Sequence, residues 1–191
     1  MKKIIILLLV LFSLVGCSSS KTYHIGETIE KDDCTITLTK AEFTPAVETT
    51  LSDSNFYYPN PNEPKSFKAT DGKTYKSTGW ADDGKVFLAF EIKFIPNVKK
   101  DMSQIFSDIV KLTYDKDYEF KPRNVYYNKG LEWVYMDGTA FNKQTLKLEA
   151  LNSNPIIIRG TFEVPEEVQN SDKSLEMVVQ YFAPKDTIVI R

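Results

Sequence analysis

Apolar and polar residues alternate along much of the chain after residue 20, as expected for β-strands that bury one face. The strongest alternation spans 86–94, where five apolar side chains share one face: Val86, Leu88, Phe90, Ile92 and Phe94. The same period predicts further strands at 34–43, 109–114, 118–121, 125–127, 131–135, 156–164, 175–182 and 187–191, with a short strand or strand-like segment at 23–29.

Polar segments between these strands indicate where the chain turns. Residues 115–117 (DKD) and 128–130 (NKG) have compositions typical of hairpin turns. Pro165 is expected to end the strand before it, because proline has no N–H to donate to a neighbouring strand. Many short strands separated by turns predict an all-β, antiparallel sandwich or barrel.

Three segments depart from this pattern. Residues 44–85 contain four prolines and many Asn, Asp and Ser residues, so most of this segment is expected to be irregular. Because so long a loop is unusual in a compact domain, we expect a strand or hairpin around 67–76. Residues 102–109 are the single candidate for a helix, and 142–154 are predicted to form a loop or a polar strand.

The first sixteen residues have the organisation of a secretory signal peptide. Lys2 and Lys3 precede an uncharged, mostly apolar run at 4–15, which is shorter than the roughly 20 residues that a spanning helix needs. The run leads into Leu-Val-Gly-Cys at 14–17, which resembles the lipobox of bacterial lipoproteins. In such signals the cysteine thiol receives a diacylglyceryl group, and the chain is cleaved directly before the cysteine.

This resemblance predicts three parts of the chain. Residues 1–16 are the signal peptide, residues 17–22 are the lipidated cysteine and its tether, and residues 23–191 form the sandwich domain. Cleavage between Gly16 and Cys17 would leave Cys17 carrying acyl chains such as palmitate, which hold a protein on a membrane without spanning it. The protein is then expected on the extracytoplasmic face of the cell membrane. The alternatives are an ordinary secretory peptide, or an N-terminal anchor helix in which the cysteine is incidental.

Charge argues against two classes of partner. The full chain has a formal net charge of −2, and removal of Lys2 and Lys3 with the signal peptide lowers it by two. Arginine, which suits bidentate phosphate recognition, occurs only at Arg123, Arg159 and Arg191. Neither nucleic acid nor anionic lipid is therefore predicted as a partner from the overall charge.

Cys34 is the second of the two cysteines. If Cys17 is lipidated, no disulfide can form within the chain. The alternation at 34–39 places Cys34 on the same face as Ile36 and Leu38, which predicts a buried, inert thiol. The alternative, a reactive nucleophile, would need a nearby cation or helix end to lower the thiol pKa, and the neighbouring residues supply neither.

Four segments together resemble a known family. Residues 23–28 (YHIGET), the threonine-rich strand that ends at Phe43, the long strand 86–94 and residues 160–165 (GTFEVP) are similar, in this order, to the immunoglobulin-like extracellular domain of unknown function found in lipoproteins of Gram-positive bacteria. The resemblance covers roughly 23–191 and implies an antiparallel, immunoglobulin-like β-sandwich with at most one short helix. The family is described as immunoprotective or adhesion-like, and it supplies no catalytic residues. The Pro-Gly-Glu usual before the closing strand is replaced here by Asn-Ser-Asn-Pro at 152–155.

Residues that would support enzymatic chemistry are scarce. His24 is the single histidine and lies seven residues after Cys17, so a histidine-based triad would have to act close to the membrane. The sequence contains no cluster of His and Cys residues with the spacing of zinc ligands, and no phosphate-binding glycine loop. We therefore expect that the protein is not an enzyme and that it binds no metal or other cofactor. The Asp82–Asp83 and Asp115/Asp117 pairs could contribute to calcium sites, although these residues also favour turns for geometric reasons alone.

Aromatic residues in polar segments are the better candidates for contacts with a ligand. Tyr57 and Tyr58 lie in the proline-rich segment, where flat amphipathic rings suit protein or carbohydrate surfaces. Tyr126 and Trp133 are open to the other interpretation, that alternating aromatics build the core.

The features above favour a lipid-anchored surface module that binds or adheres to an unknown protein or to a cell-wall glycan. An accessory subunit of a membrane transport or sensing complex is the alternative, favoured by the short tether. A hydrolase that uses two acidic residues as catalytic acid and base is the remote third interpretation. Without knowledge of the fold, such a catalytic pair cannot be selected among the 26 acidic residues.

Overall fold

The computed structural model describes residues 20–31, 34–47, 61–62, 64–76, 79–96, 100–101, 110–129, 132–136, 147–148, 155–179 and 186–191. The strands in the first half of the chain are β1 (Thr22–His24), β2 (Thr28–Glu30), β3 (Cys34–Thr44), β4 (Ser66–Lys68), β5 (Thr74–Lys76), β6 (Lys85–Pro96) and β7 (Lys100–Asp101). Those in the second half are β8 (Val110–Tyr114), β9 (Tyr118–Phe120), β10 (Arg123–Lys129), β11 (Glu132–Met136), β12 (Lys147–Leu148), β13 (Ile156–Pro165), β14 (Leu175–Val179) and β15 (Asp186–Val189). One short helix, α1 (Glu166–Asn170), follows β13 in the described part of the chain.

The strands form two main sheets. The five-stranded sheet has the order β1-β15-β14-β8-β9, and the six-stranded sheet has the order β11-β10-β13-β6-β3-β2. Neighbouring strands are antiparallel, except that β1 runs parallel to β15. Two further pairs, β4 with β5 and β7 with β12, form separate two-stranded sheets.

The core lies between the two main sheets. Leu88 and Phe162 of the six-stranded sheet are fully buried in one cluster with Leu112, Met177 and Ile188 of the five-stranded sheet. A single core that draws on the inner faces of two sheets is the architecture of a β-sandwich. The predicted all-β antiparallel sandwich is thus confirmed.

The long predicted strands are confirmed, because their alternation spans many residues. Residues 34–43, 86–94 and 156–164 lie in β3, β6 and β13, and the predicted apolar face of 86–94 points into the core. The expected hairpin around 67–76 is present as β4 and β5, and the 115–117 turn joins β8 to β9. Pro165 is the last residue of β13, as predicted.

The prediction of one strand-like segment at 23–29 is wrong. The chain forms β1 in one sheet, turns, and then forms β2 in the other sheet. The turn is closed by a hydrogen bond of 3.0 Å from the Glu27 N–H to the His24 carbonyl oxygen, and Gly26 has a φ of +90°. That combination fits a type II turn, in which glycine supplies the positive φ.

The predicted turn at 128–130 is too early. Lys129 pairs with Glu132, so Asn128 and Lys129 belong to strand β10. The physical reason is a long-range contact: the Asn128 side-chain oxygen accepts a hydrogen bond of 2.5 Å from the Ile157 N–H of β13. This contact holds a turn-favouring residue in an extended strand.

The predicted helix at 102–109 lies outside the described residues, as does most of 142–154 apart from β12. Helix α1 was not predicted from the sequence. It is only five residues long, although Pro165, Glu166 and Glu167 are residues typical of a helix start.

The sandwich has two ends that matter for function. Its N-terminal end contains the start of β1 and the strand ends that pair beside it: Thr22, Cys34, Pro96, Val110, Val179 and Asp186. Its distal end contains the opposite strand ends: Thr44, Lys85, Tyr114, Pro165 and Leu175. An ion pair between Lys31 and Asp186 connects the two sheets at the N-terminal end.

Candidate binding surface at the distal end

The longest segment between two paired strands of the sandwich begins and ends at its distal end. The chain leaves the six-stranded sheet at Thr44, at the end of β3, and returns at Lys85, at the start of β6. These two residues lie close together, because Thr44 pairs with Phe87. The intervening residues 45–84, which we call the insert, therefore begin and end at the distal end.

The base of the insert is fixed by backbone hydrogen bonds. The Val47 N–H donates to the Gly79 carbonyl oxygen at 2.8 Å, and the Ala81 N–H donates to the Pro45 carbonyl oxygen at 3.1 Å. Val47 and Ala81 form a small buried cluster with Phe87 of β6. Since Phe87 faces away from the main core, this cluster gives the insert its own attachment to the outer face of the sheet.

The described middle of the insert is the hairpin β4–β5. Its strands are joined by a turn in which the Ala69 N–H donates to the Lys73 carbonyl oxygen at 2.9 Å. The Asp71 carboxylate accepts a hydrogen bond of 2.9 Å from the Lys73 N–H. Where the hairpin begins, the Lys65 ammonium lies over the Trp80 ring, 4.6 Å from its centroid. These contacts give the hairpin a defined shape and connect it to the base of the insert.

A carboxylate at the edge of the insert joins three segments. Glu163 of β13 is nearly buried and accepts a hydrogen bond of 3.0 Å from the Asp82 N–H. The same side chain forms ion pairs with Lys85, at 3.3 Å, and with Arg123 of β10. Glu163 thus fixes the last residues of the insert to two strands of the six-stranded sheet.

The other side of the distal end is built on helix α1. The Arg191 guanidinium donates to the carbonyl oxygens of Val168 and Gln169, at 2.6 and 3.1 Å. The Glu166 N–H donates to the Gly84 carbonyl oxygen at 3.0 Å. The helix is therefore bound both to the end of β15 and to the end of the insert.

The β8–β9 turn completes this end. Asp115 and Lys116 both have positive φ, 51° and 65°, and the Asp115 carboxylate binds the Lys173 ammonium at 2.5 Å. The hydrogen bond to Asp115 raises the pKa of Lys173. Tyr118, just after the turn, is 59% exposed and is the large aromatic side chain most open to solvent in the described residues.

The predicted site residues have mixed outcomes. Gly16, Cys17, Tyr57 and Tyr58 all lie outside the described residues, so their roles stay predictions. Tyr126 is buried, but it belongs to neither core cluster of the described residues, whereas its neighbour Tyr127 packs against the main core. The side chain of Trp133 falls outside the described part of the structure.

The structure describes Cys34 and His24, the two residues considered above for nucleophilic and histidine-based chemistry. Cys34 is fully buried in the main core, as predicted. His24 is exposed, and its backbone N–H donates to the Glu27 carboxylate at 2.7 Å. Both residues therefore have positions that the local fold explains.

The acidic turns have cationic partners within the fold. Asp82 lies 3.5 Å from the Lys85 ammonium, and Asp115 binds Lys173. Within the described ranges, no group of three or more His, Cys, Asp or Glu side chains is arranged to hold a metal ion. The calcium interpretation of these turns thus gains no support from the described geometry.

Sequence reasoning did not identify Glu163 or Arg123. The segment 160–165 was recognised as a motif, but the partners of Glu163 lie up to 81 residues away in sequence. No local signal connects those positions, because register between distant strands brings them together.

Comparison with solved structures supports the fold. The chain is similar to an uncharacterized β-sandwich protein from Clostridium difficile 630, with a TM-score of 0.57 and 18% sequence identity. The match covers 91% of this chain and 95% of that protein. No family model and no curated protein matches the sequence. The shared property is thus the β-sandwich across nearly the whole chain.

The described helix cannot cross a bilayer. No helical segment in the described residues has the length and apolar character that spanning requires.

Proposed function

We propose that this protein is a lipoprotein anchored through Cys17 on the extracytoplasmic face of the cell membrane, and that it binds a partner at the distal end. The proposal rests on one observation: the anchor and the insert are connected to opposite ends of the sandwich. The proposed anchor lies five residues before β1, at the N-terminal end, whereas the insert begins and ends at the distal end. The sandwich would therefore present the insert away from the membrane.

The dimensions of the molecule limit where the partner can be. Residues 17–21 extend at most about 18 Å, at roughly 3.5 Å per residue. The twelve residues of β6 add about 40 Å, at roughly 3.3 Å per residue. The distal end then lies within about 60 Å of the lipid surface. A wall polymer or a surface protein close to the membrane is within this reach.

The two motifs that resemble the immunoglobulin-like lipoprotein domain each have a structural role in this fold. This supports including that family in the proposal. Gly26 supplies the positive φ of the turn between β1 and β2. In the closing motif, Phe162 and Val164 point into the core, while Gly160 lies against Phe90.

The anchor is tested by metabolic labelling with a fatty acid in cells that express the full chain. We expect label on the wild-type protein and none on Cys17→Ala, with Cys34→Ala as the matched control that retains the label. Label on Cys17→Ala would overturn the anchoring part of the proposal.

Binding at the distal end is tested by photo-crosslinking on intact cells. A photoreactive residue at position 118, at the distal end, should capture a partner that the same residue at position 121 does not. Tyr57→Ala and Tyr58→Ala should reduce that capture if these rings contribute to the site. Equal capture from positions 118 and 121 would contradict a distal binding surface.

The short tether favours a second candidate, an accessory subunit of a membrane transport or sensing complex. Because β1 begins at Thr22, the sandwich could contact a membrane protein beside it. A Ser-rich insertion between Ser20 and Lys21 would separate the two candidates. It should abolish an activity that depends on a neighbouring membrane complex, and it should preserve binding to a soluble partner.

A further inference from the structure

The first strand of the sandwich is held by a parallel partner. Strand β1 lies at the edge of the five-stranded sheet and is in register with β15, from Thr22 opposite Thr187 to His24 opposite Val189. The Thr187 N–H also donates to the Lys21 carbonyl oxygen at 3.1 Å. Since the two strands are parallel, β1 enters the sheet at the N-terminal end and runs towards the distal end.

The direction of β1 determines how it responds to tension. If the protein is anchored before β1 and bound at its distal end, tension between these points pulls β1 along its own axis, out of the N-terminal end. Hydrogen bonds between neighbouring strands lie roughly across that axis. A lengthwise pull therefore loads all the bonds between β1 and β15 together, whereas a pull across the sheet would break them one after another.

The next strand has the opposite geometry. Strand β2 runs back towards the N-terminal end, because Thr28 pairs with Thr37 and Glu30 pairs with Thr35 in the antiparallel strand β3. Tension that reached Thr28 after the loss of β1 would lift β2 from β3 one residue pair at a time. Of these two strands, β1 is therefore the one whose geometry resists the pull.

Strand β15 is fixed on its other side. Its four residues, Asp186–Val189, are all paired with β14. Just after the strand, the Ile190 N–H donates to the Leu175 carbonyl oxygen at 2.9 Å, and the Arg191 guanidinium binds carbonyl oxygens of α1. A pull on β1 therefore loads the pair between β1 and β15, because β15 cannot move along with β1.

The middle residue of β1 adds a side-chain contact. Tyr23 lies opposite Ile188, which is fully buried, and it packs against the main core. Because successive side chains of a strand point to opposite faces, a slip of β1 by one residue would turn Tyr23 out of the core. Slippage of β1 is thus opposed by packing as well as by hydrogen bonds.

We propose that the β1–β15 pair is a mechanical clamp, which resists tension exerted between the membrane anchor and a partner held at the distal end. This inference rests on the proposed function, because the anchor and the partner set the direction of the tension. The clamp would keep the sandwich folded while it is pulled from both ends.

The clamp is tested by single-molecule force spectroscopy on the full-length protein in non-ionic detergent, with handles on unnatural amino acids. For a lengthwise pull, the handles are at position 20 and at the exposed position 172, three residues before Leu175 at the distal end. For a crosswise pull, they are at positions 20 and 111. Lys111 lies level with Thr22, because the register runs from Lys111 through Val178 and Thr187 to Thr22.

The unfolding force should depend on the direction of the pull. At equal loading rate, the lengthwise force should be roughly two to three times the crosswise force, because three residue pairs share the load in the lengthwise pull. The handles do not change the folded protein between the two measurements in any part of the β1–β15 pair. Thermal melts establish that both labelled proteins are folded.

A reversible crosslink within the pair gives a second measurement. The variant Thr22→Cys/Thr187→Cys, made together with Cys17→Ser, places two thiols on adjacent strands, about 4.8 Å apart at the backbone, which a disulfide can span. In the lengthwise pull, the oxidised form should withstand a higher force than the wild type. The reduced form is the matched control and should unfold like the wild type.

Equal forces in the two directions, or equal forces from the oxidised and reduced forms, would overturn the inference. Fatty-acid labelling at Cys17 and crosslinking from position 118 do not depend on these forces. If both succeed in those cases, the proposed function survives and only the clamp is wrong. If they fail while the force depends on direction as expected, the clamp stands as a property of the fold and the proposed function is wrong.

Discussion

Gly160 of β13 lies directly opposite Phe90 of β6, and the Phe90 ring occupies the space that a side chain at position 160 would need. A Cβ atom on Gly160 would lie 2.6 Å from Cζ of Phe90 and 3.2 Å from Cγ2 of Val125. The Phe90 ring also packs against Phe162, with centroids 5.1 Å apart. The glycine of the closing motif thus allows an aromatic pair to form at the centre of the core.

Substitution of this glycine should therefore destabilise the sandwich. We expect Gly160→Ala to lower the free energy of unfolding by about 2 kcal/mol, because it overpacks a rigid site. Urea denaturation of the wild type and the variant measures this difference. In the double variant Gly160→Ala/Phe90→Leu, the smaller side chain should offset part of the loss, so the two single effects should not add. Strict additivity would contradict steric conflict between these two positions.

The buried ion pair at the N-terminal end gives a second prediction. The Asp186 side chain is 3% exposed and pairs with Lys31. Lys31→Met would leave a buried carboxylate without its ammonium partner, which should cost about 3 kcal/mol of stability. The matched control is Lys40→Met, since Lys40 pairs with Glu42 at the surface and its loss should cost at most about 1 kcal/mol. Similar effects in both variants, measured by chemical denaturation, would show that burial of Asp186 does not matter.

The elements predicted from the sequence are those with long, uninterrupted alternation. Strand β6 has twelve residues and β13 has ten. Over that length, the alternation of apolar and polar residues is recognisable even where single positions depart from it. The three-residue strands β1 and β2 are too short for periodicity to separate them, and Gly26 alone marks the turn. Helix α1 was not predicted for the same reason, because its five residues are too few to show a helical period.

The candidate binding surface was predictable only in part. The four prolines and many polar residues at 44–85 identified this segment as unusual. The placement of the insert at the distal end requires strand pairing, which sets Thr44 against Phe87. The contacts of Glu163 likewise depend on register between strands and not on any local pattern.

The β8–β9 turn contains strain that a substitution could relieve. Lys116 has a φ of 65°, which costs a residue with a Cβ atom about 1 kcal/mol or more. Lys116→Gly should raise the free energy of unfolding by roughly 0.5 kcal/mol, after the larger entropy of glycine in the unfolded chain is counted. The control Lys111→Gly, in the adjoining strand β8, should lower it by about 1 kcal/mol. Thermal denaturation that shows a loss in both variants would contradict strain at Lys116.

The Lys173–Asp115 pair predicts a measurable change in titration. The hydrogen bond and the charge of Asp115 raise the pKa of Lys173 above its ordinary value of 10.5. In Asp115→Asn the charge is removed, and the pKa of Lys173 should fall back toward that value. Heteronuclear NMR of the Lys173 side chain measures the pKa in the wild type and in the variant. An unchanged pKa of Lys173 would show that Asp115 does not cause the shift.

Tyr127 predicts how stability changes at alkaline pH. Burial raises the pKa of its phenol above the ordinary value of 10.0. In the unfolded chain the phenol ionises near pH 10, whereas in the folded protein it keeps its proton to higher pH. The folded state therefore binds more protons in this window, and its stability should fall as pH rises from 10 through the folded-state pKa. Below pH 10 this contribution is fully present.

Tyr127→Phe removes the ionisable group, so the variant should lose less stability than the wild type between about pH 9 and pH 11. Urea denaturation at each pH gives the comparison, and each protein is referenced to its own value at neutral pH, which cancels any difference in packing. Absorbance at 295 nm provides an independent readout, because the variant should lack a tyrosine that ionises late. Parallel loss of stability in both proteins would contradict a raised pKa for Tyr127.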